Sequence, residues 1–174
     1  AHARVGEQDV ADEQIDLLLA HARTDLERAE LLSVRTRQYA TIGRMEASIE
    51  SAIEGLALLG VAFPPEPDQS DIDAEFALVR KHLGSRTIEE LIDAPRLDDP
   101  VQVAAVRLLM EIFPAAFLSG SGSLFPFLVL RSVNISLAHG NSSEAAFAYA
   151  AYGMLLCGAG NDPALGFRYG RLAV

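Results

Sequence analysis

Tryptophan is absent from this chain, and there is a single cysteine, Cys157. One thiol cannot form a disulfide within the chain, so the fold must rest on packing, which suits a reducing compartment. Cys157 lies in an apolar run and reads as a small buried hydrophobe. Basic residues are scarce as well: 14 Lys and Arg face 24 Asp and Glu, a formal net charge of −10. That balance disfavours a phosphate-binding surface, so neither nucleic acid nor an anionic membrane is an expected partner. No uninterrupted apolar run reaches the roughly 18–20 residues of a membrane span, and nothing has the layout of a signal peptide. A cytoplasmic location is the expectation. Strand signals are missing too, with no alternation of useful length, no Asn-Gly hairpin and no β-branched cluster.

What the chain does contain is helix. Half of its 174 residues are apolar, and Ala and Leu dominate, which favours helix formation and close helix–helix packing. The polar residues 1–9 are expected to fray, leaving 10–174 as one helical, repeat-like domain. The chain starts without Met and stops at Val174 with a helical pattern still running, so a piece of a longer protein is expected.

From Val10, apolar residues recur at three- and four-residue steps through Ile15, Leu18, Leu19, Ala22, Leu26, Ala29, Leu32, Tyr39 and Ile42. This stretch is one long helix, or two broken near Thr24-Asp25, where either residue could cap a new start. Gly43 is a natural stop, and a second helix follows from about Arg44 to Leu59 with Met45, Ile49, Ala52, Ile53, Leu56 and Leu59 inward. Pro64, Pro65 and Pro67 then impose an extended connector. Ser70 or Asp71 caps a helix to Leu83, with Ile72, Phe76, Val79 and Leu83 inward. Thr87 and Glu90 have capping-box spacing and open a short helix ending near Asp93. A helix from Pro100 to Phe113 is expected to bury Val103, Val106, Leu109, Met110 and Phe113, with Pro114 breaking or kinking it. Leu124 to His139 is apolar on nearly all sides and belongs at the centre of the packing. Ser142 or Ser143 caps the next helix to about Cys157, Gly158 and Gly160 make a turn, and Asp162-Pro163 starts the last helix.

Two segments read as helix–turn–helix units. In the second, Tyr149, Tyr152-Gly153, Leu156, Gly160 and Tyr169 fall at spacings similar to a tetratricopeptide (TPR) repeat, where a large residue precedes a small one so that the partner helix can come close. In the first, Tyr39, Gly43 and Met45 match the turn. Arg35-Thr36, however, stands where the large–small pair belongs, and Ser48 where Ala is usual. Residues 61–113 fit no repeat. The fold expected is all-α, a TPR-like right-handed array of antiparallel helix pairs, with a less regular helical bundle as the alternative.

The strings QIDLLLAHARTDLERAELLSVRTRQYATIGRMEASIESAIEGLALLGV, SRTIEELIDAPRLDDP and HGNSSEAAFAYAAYGMLLCGAGNDPALGFRYGRLA resemble the helical region of large bacterial multidomain sensor proteins. In that family a kinase-like domain and a STAND-type ATPase precede a TPR-like segment, and a GAF or PAS sensor and a histidine kinase follow it. The resemblance covers about Val10 to the end. It implies a non-catalytic scaffold that couples the ATPase module to the sensor and output modules, with the family's catalytic residues in other domains.

The residues themselves offer little chemistry. Gly120-Ser121-Gly122 and Gly158-Ala159-Gly160 are bare GxG pairs with no preceding strand and no Gly-Lys-Ser/Thr, so no nucleotide cradle is expected. His2, His21, His82 and His139 are widely spaced, which disfavours zinc. The run Glu66, Asp68, Asp71, Asp73 and Glu75 lacks the glycine and the terminal Glu of a calcium loop, and suits the start of a helix instead. No serine sits in a nucleophile elbow, and His139 reads as capping a helix end. No catalytic residue, metal ligand or cofactor is therefore expected. Four polar residues on helix faces stand out: Arg35, Arg37, Arg131 and Asn134. Either they satisfy internal partners, Arg131 with a buried carboxylate, or they line a groove for a peptide or a neighbouring domain. The expected partners are neighbouring domains of a parent chain, another protein, or a second copy docked through exposed array ends. A different function remains open, that of a small-molecule sensor with an apolar pocket between helices near Phe113 to Leu130.

Overall fold

The computed structural model describes all residues except Ala1, Pro65, Ser119, Ser121 and 159–161, and the side chains of 2–9. The protein is all-α. Its described residues form eight α-helices, α1 (His2–His21), α2 (Asp25–Thr41), α3 (Met45–Leu58), α4 (Gln69–Leu83), α5 (Pro100–Leu118), α6 (Leu124–His139), α7 (Ala145–Cys157) and α8 (Pro163–Leu172), plus a 3-10 turn at Glu89–Asp93. Helix α1 starts at His2, inside the segment expected to fray. Only Gly6 there opposes helix formation.

Residue chemistry explains most boundaries. The pattern from Val10 to Ile42 is two helices, because Thr24 and Glu27 form a capping box that starts α2. Gly43, at φ +82°, turns the chain from α2 into α3. The cap of α4 is Asp68, which exchanges bonds with Asp71 in a second capping box, in place of Ser70 or Asp71. The Thr87–Glu90 box forms as its spacing implies. Asp162 caps α8 through Leu165 N at 2.9 Å, and Pro163 takes the first helical position. At α7 the Ser142 hydroxyl accepts from Glu144 N, one residue ahead of the helix. The turn read at Gly158 and Gly160 lies partly outside the described residues.

Two expectations fail along α5. The helix does not end at Phe113 but continues through Pro114 to Leu118. Ala115 and Ala116 beyond the proline are fully buried, so their packing outweighs the backbone bond that Pro114 removes. Of the expected row Val103, Val106, Leu109, Met110 and Phe113, only Val106 and Leu109 are fully buried, and Ala105, Leu108 and Ile112 join them as the deepest residues. By length and composition α5 could cross a membrane, yet its Leu108–Ile112 face is the middle of the core and it packs against α2, α3 and α6.

Helix α6 is central, as its all-round apolar character implies: Leu124, Phe127–Leu130 and Ser132–Leu137 are buried, and α4, α5 and α7 pack around it. The pairs α2–α3 and α7–α8 are antiparallel hairpins with small residues on their seams. Ser48 donates to Thr36 O at 2.8 Å and Ser51 to Leu32 O at 3.3 Å across α2–α3. In α7–α8 a Cβ built on Gly153 would lie 2.6 Å from Gly166 O. The inward face of α3 is thus Ser48, Ser51, Ala52, Gly55 and Leu56, with Met45, Ile49 and Ile53 only partly buried.

The strap between α4 and α5 is riveted at one point. Asn141 N donates to Pro95 O, Leu97 N to Asn141 O, and Asn141 Nδ2 to Leu91 O at 2.7 Å, while Tyr149 donates its hydroxyl to Asn141 Oδ1. Gly140 makes this approach possible: its φ is +109°, and a Cβ there would sit 2.2 Å from Pro95 O.

Candidate functional site

The most concentrated polar chemistry in the interior lies between α4 and α6. Glu75 is almost fully buried on the inner row of α4, between Ile72 and Val79. Its Oε1 receives Arg131 Nη2 at 2.9 Å, and its Oε2 receives Asn134 Nδ2 at 2.7 Å. Asn134 Nδ2 also reaches Glu75 O, and Asn134 Oδ1 faces His82 Nδ1 at 3.0 Å. Because Oδ1 can only accept, His82 Nδ1 is the donor of this hydrogen bond. The Arg131 guanidinium lies 5.4 Å from the Phe127 ring centroid. A buried carboxylate with two donors, one of them its charge partner Arg131, has both oxygens satisfied. This cluster fastens α4 to α6, and chemically it offers neither a free nucleophile nor a free acid.

Of the four polar residues singled out from the sequence, Arg131 and Asn134 are thus brought together, and both point to internal partners. Arg35 and Arg37 lie on α2, packed against other elements. Arg35 pairs with Asp16 of α1, its own side chain largely buried. Arg37 is half-exposed and reaches Glu111 of α5 at 3.5 Å. The four do not form one face. Glu75 and His82 were missed, since Glu75 reads as one more member of the acidic run at the start of α4. Its signal was positional: it is three residues after Ile72 and four before Val79, on the apolar row.

Cys157 is exposed rather than buried. It is the last residue of α7, at the edge of the hairpin, where its sulfur overlies Gly166. Behind it, Tyr149, Tyr152 and Tyr169 stack, the last two in edge contact at 4.8 Å between centroids. Burial pushes the Tyr149 phenol up to about 12 and raises those of Tyr152 and Tyr169 as well. All three are neutral packing groups at physiological pH. Among the described residues no three His, Cys, Asp or Glu side chains converge as metal ligands would.

An open groove of about 560 Å³ lies between the end of α5 and α7. Phe113, Phe117 and Leu118 form one wall, Phe147 and Met154 the other, and Ala150 part of the floor. Every lining residue among those described is apolar. Phe113 bridges the walls, 4.5 Å from Phe147 and 4.9 Å from Phe125 of α6 between ring centroids. Both α5 and α7 pack on α6, which holds them apart and leaves the space between. A second groove, about 390 Å³, lies between α1 and α2 and mixes Leu18, Leu31 and Val34 with His21, Glu27 and Glu30.

Nothing matches this chain among protein-family models, curated proteins or solved structures.

Proposed function

We propose that this chain is a non-catalytic, TPR-like helical scaffold of a bacterial signal-transduction protein, mediating protein–protein interactions and coupling an ATPase module to a sensor and histidine kinase output. The observation that carries the reading is the pair of helical hairpins, α2–α3 and α7–α8, each closed on a seam of small residues and joined through α5 and α6. Stacked helix pairs are how repeat scaffolds build extended binding surfaces. The resemblance of the sequence to the helical region of multidomain sensors supplies the signalling context, including the cytoplasmic location. The logic of such a scaffold is mechanical: it fixes the geometry of its neighbours.

Titration calorimetry of the protein against separately purified ATPase and sensor segments of its parent tests this. Saturable binding is expected, weakened by charge reversal at Arg37, the most exposed of the four polar residues singled out. No heat from well-folded segments overturns it. A second reading, a small-molecule sensor, is favoured by the α5–α7 groove, whose volume suits a ligand. Its lining lacks the convergent polar groups that orient most small molecules. A ligand that raises the melting temperature in a thermal-shift screen, and loses that effect when Ala150 is changed, would establish it.

A further inference from the structure

We propose that the α5–α7 groove is the docking site for one amphipathic helix of a partner protein, a helix that presents an uncharged face of large apolar side chains. The proposal rests on the scaffold reading and gives it a location and a partner chemistry.

The argument begins with exposure. Phe117, Leu118, Phe147 and Met154 are 63%, 66%, 48% and 53% exposed. At about 200 Å² for a large side chain, these four together leave roughly 450 Å² of apolar surface in water, only part of it inside the groove. The largest apolar patch on a typical single chain is of about this size and is often functional. The area also selects the occupant. A stable protein–protein interface needs about 800 Å² from each side, so a second copy resting on this patch alone is undersized. Two copies also repel, each with a net charge of −10. A single helix laid in a groove engages through a few apolar anchors on one face, which is the scale of contact these side chains offer.

Shape and charge point the same way. Large walls at Phe147 and Met154 flank Ala150, so the ridge of an incoming helix can settle between them. The spacing 147, 150, 154 is one helical row, and Phe113 and Phe117 are a row on α5. Among the described residues no charged or hydrogen-bonding side chain lines the groove, so a charge on the incoming face would be buried without a partner. The α1–α2 groove, lined in part by Glu27 and Glu30, lacks this selectivity.

The test is fluorescence anisotropy on the intact protein with a labelled helical peptide of about 18 residues, Leu and Phe at i, i+3, i+4 and i+7 of one face and Lys and Gln elsewhere. A scrambled peptide of the same composition controls for attraction to the acidic surface. The facial peptide is expected to bind at least about tenfold more tightly than the scrambled one. Ala150→Glu and Met154→Glu, both at exposed positions, are each expected to erase that preference while circular dichroism and melting temperature stay unchanged. Equal affinity for the two peptides overturns the proposal. A preference that survives both substitutions also overturns it, by moving docking to another face, yet leaves the scaffold reading standing. Binding of 8-anilinonaphthalene-1-sulfonate that is lost in Ala150→Glu, without any facial preference, overturns it in favour of a ligand site. Failure of the scaffold reading shows elsewhere, as absent heat with the ATPase and sensor segments.

Discussion

The two hairpins solve one problem with different chemistry. Both must bring two helices close along a seam. In α7–α8 the seam is bare backbone: Cβ atoms built on Gly153 and Gly166 would fall 2.6 Å from each other's carbonyl oxygens. In α2–α3 the seam is hydroxyl. Thr36 and Ser48 are fully buried, Thr36 donating to Leu32 O and Ser48 to Thr36 O, each at 2.8 Å. Gly55 adds a third small residue, but a Cβ there meets the Leu108 side chain at 2.8 Å, not backbone. A small side chain that satisfies its own hydroxyl can therefore stand in for no side chain, and the two seams should differ sharply in what they tolerate.

Placing the same methyl group on both seams gives the largest effect. Alanine suits a helix interior better than glycine by about 1 kcal/mol, so without crowding both substitutions would stabilise. Gly153→Ala forces backbone apart, because neither Gly166 O nor Gly170 N can rotate away. It is expected to destabilise by about 2–3 kcal/mol, the range for overpacked sites. Gly55→Ala meets the end of a leucine that can change rotamer, so its net effect should fall within about 1 kcal/mol of zero. Urea denaturation of both variants decides. Equal losses would mean that α3 is held against Leu108 of α5 as tightly as α7 against α8, and that the contrast is wrong.

The intermediate effect tests the hydroxyls. Ser48→Ala removes the bond to Thr36 O and places at this position the residue usual in the repeat that the sequence resembles. A buried hydrogen bond contributes about 1 kcal/mol net, and the better helix propensity of alanine returns a few tenths. The expected loss is about 0.5–1 kcal/mol by the same denaturation measurement. A gain in stability would show that the hydroxyl is tolerated on the seam without contributing to it.

How much of this was legible in the sequence follows from what kind of signal each feature carries. Local signals were readable. Gly43, the Thr87–Glu90 box and Asp162-Pro163 act within a few residues of themselves, and each does so in the structure. Tyr152-Gly153 was readable because a large residue beside a small one has a packing meaning on its own. Signals that depend on a distant partner were not. Thr36 and Ser48 look like departures from a repeat until each is seen bonding backbone along the seam. Glu75 looks like surface charge until Arg131 and Asn134, more than fifty residues away, arrive to meet it. The groove depended on α5 passing through Pro114, a contest between one lost backbone bond and the burial of Ala115 and Ala116 that no window of sequence can weigh. Phe113 and Met110, read as core, are partly exposed for the same reason: the helix rotates Leu108 and Ile112 inward.

The smallest effect concerns how each hairpin is tied to its neighbour. Arg35 holds Asp16 of α1 through one nitrogen, whereas Arg168 of α8 grips Glu89 of the 3-10 turn through two, at 2.9 and 2.6 Å. Those bonds from Arg168 hold the Glu89 carboxyl at about 2, well below its ordinary 4.5. A carboxyl whose value is depressed in the folded state contributes stability that is fully present above about 4.5 and is lost as the pH falls toward 2. The pair is fully exposed, so its contribution is small and screened by salt. Comparing urea midpoints of the parent and Glu89→Gln should show a modest gap at pH 6 that closes by about pH 2 and narrows in high salt. The corresponding Asp16→Asn should open a smaller gap, because its partner reaches it with one bond. If the Glu89 gap persists unchanged into acid, the two-pronged grip does not act through charge. The ties of the two hairpins would then differ in geometry alone.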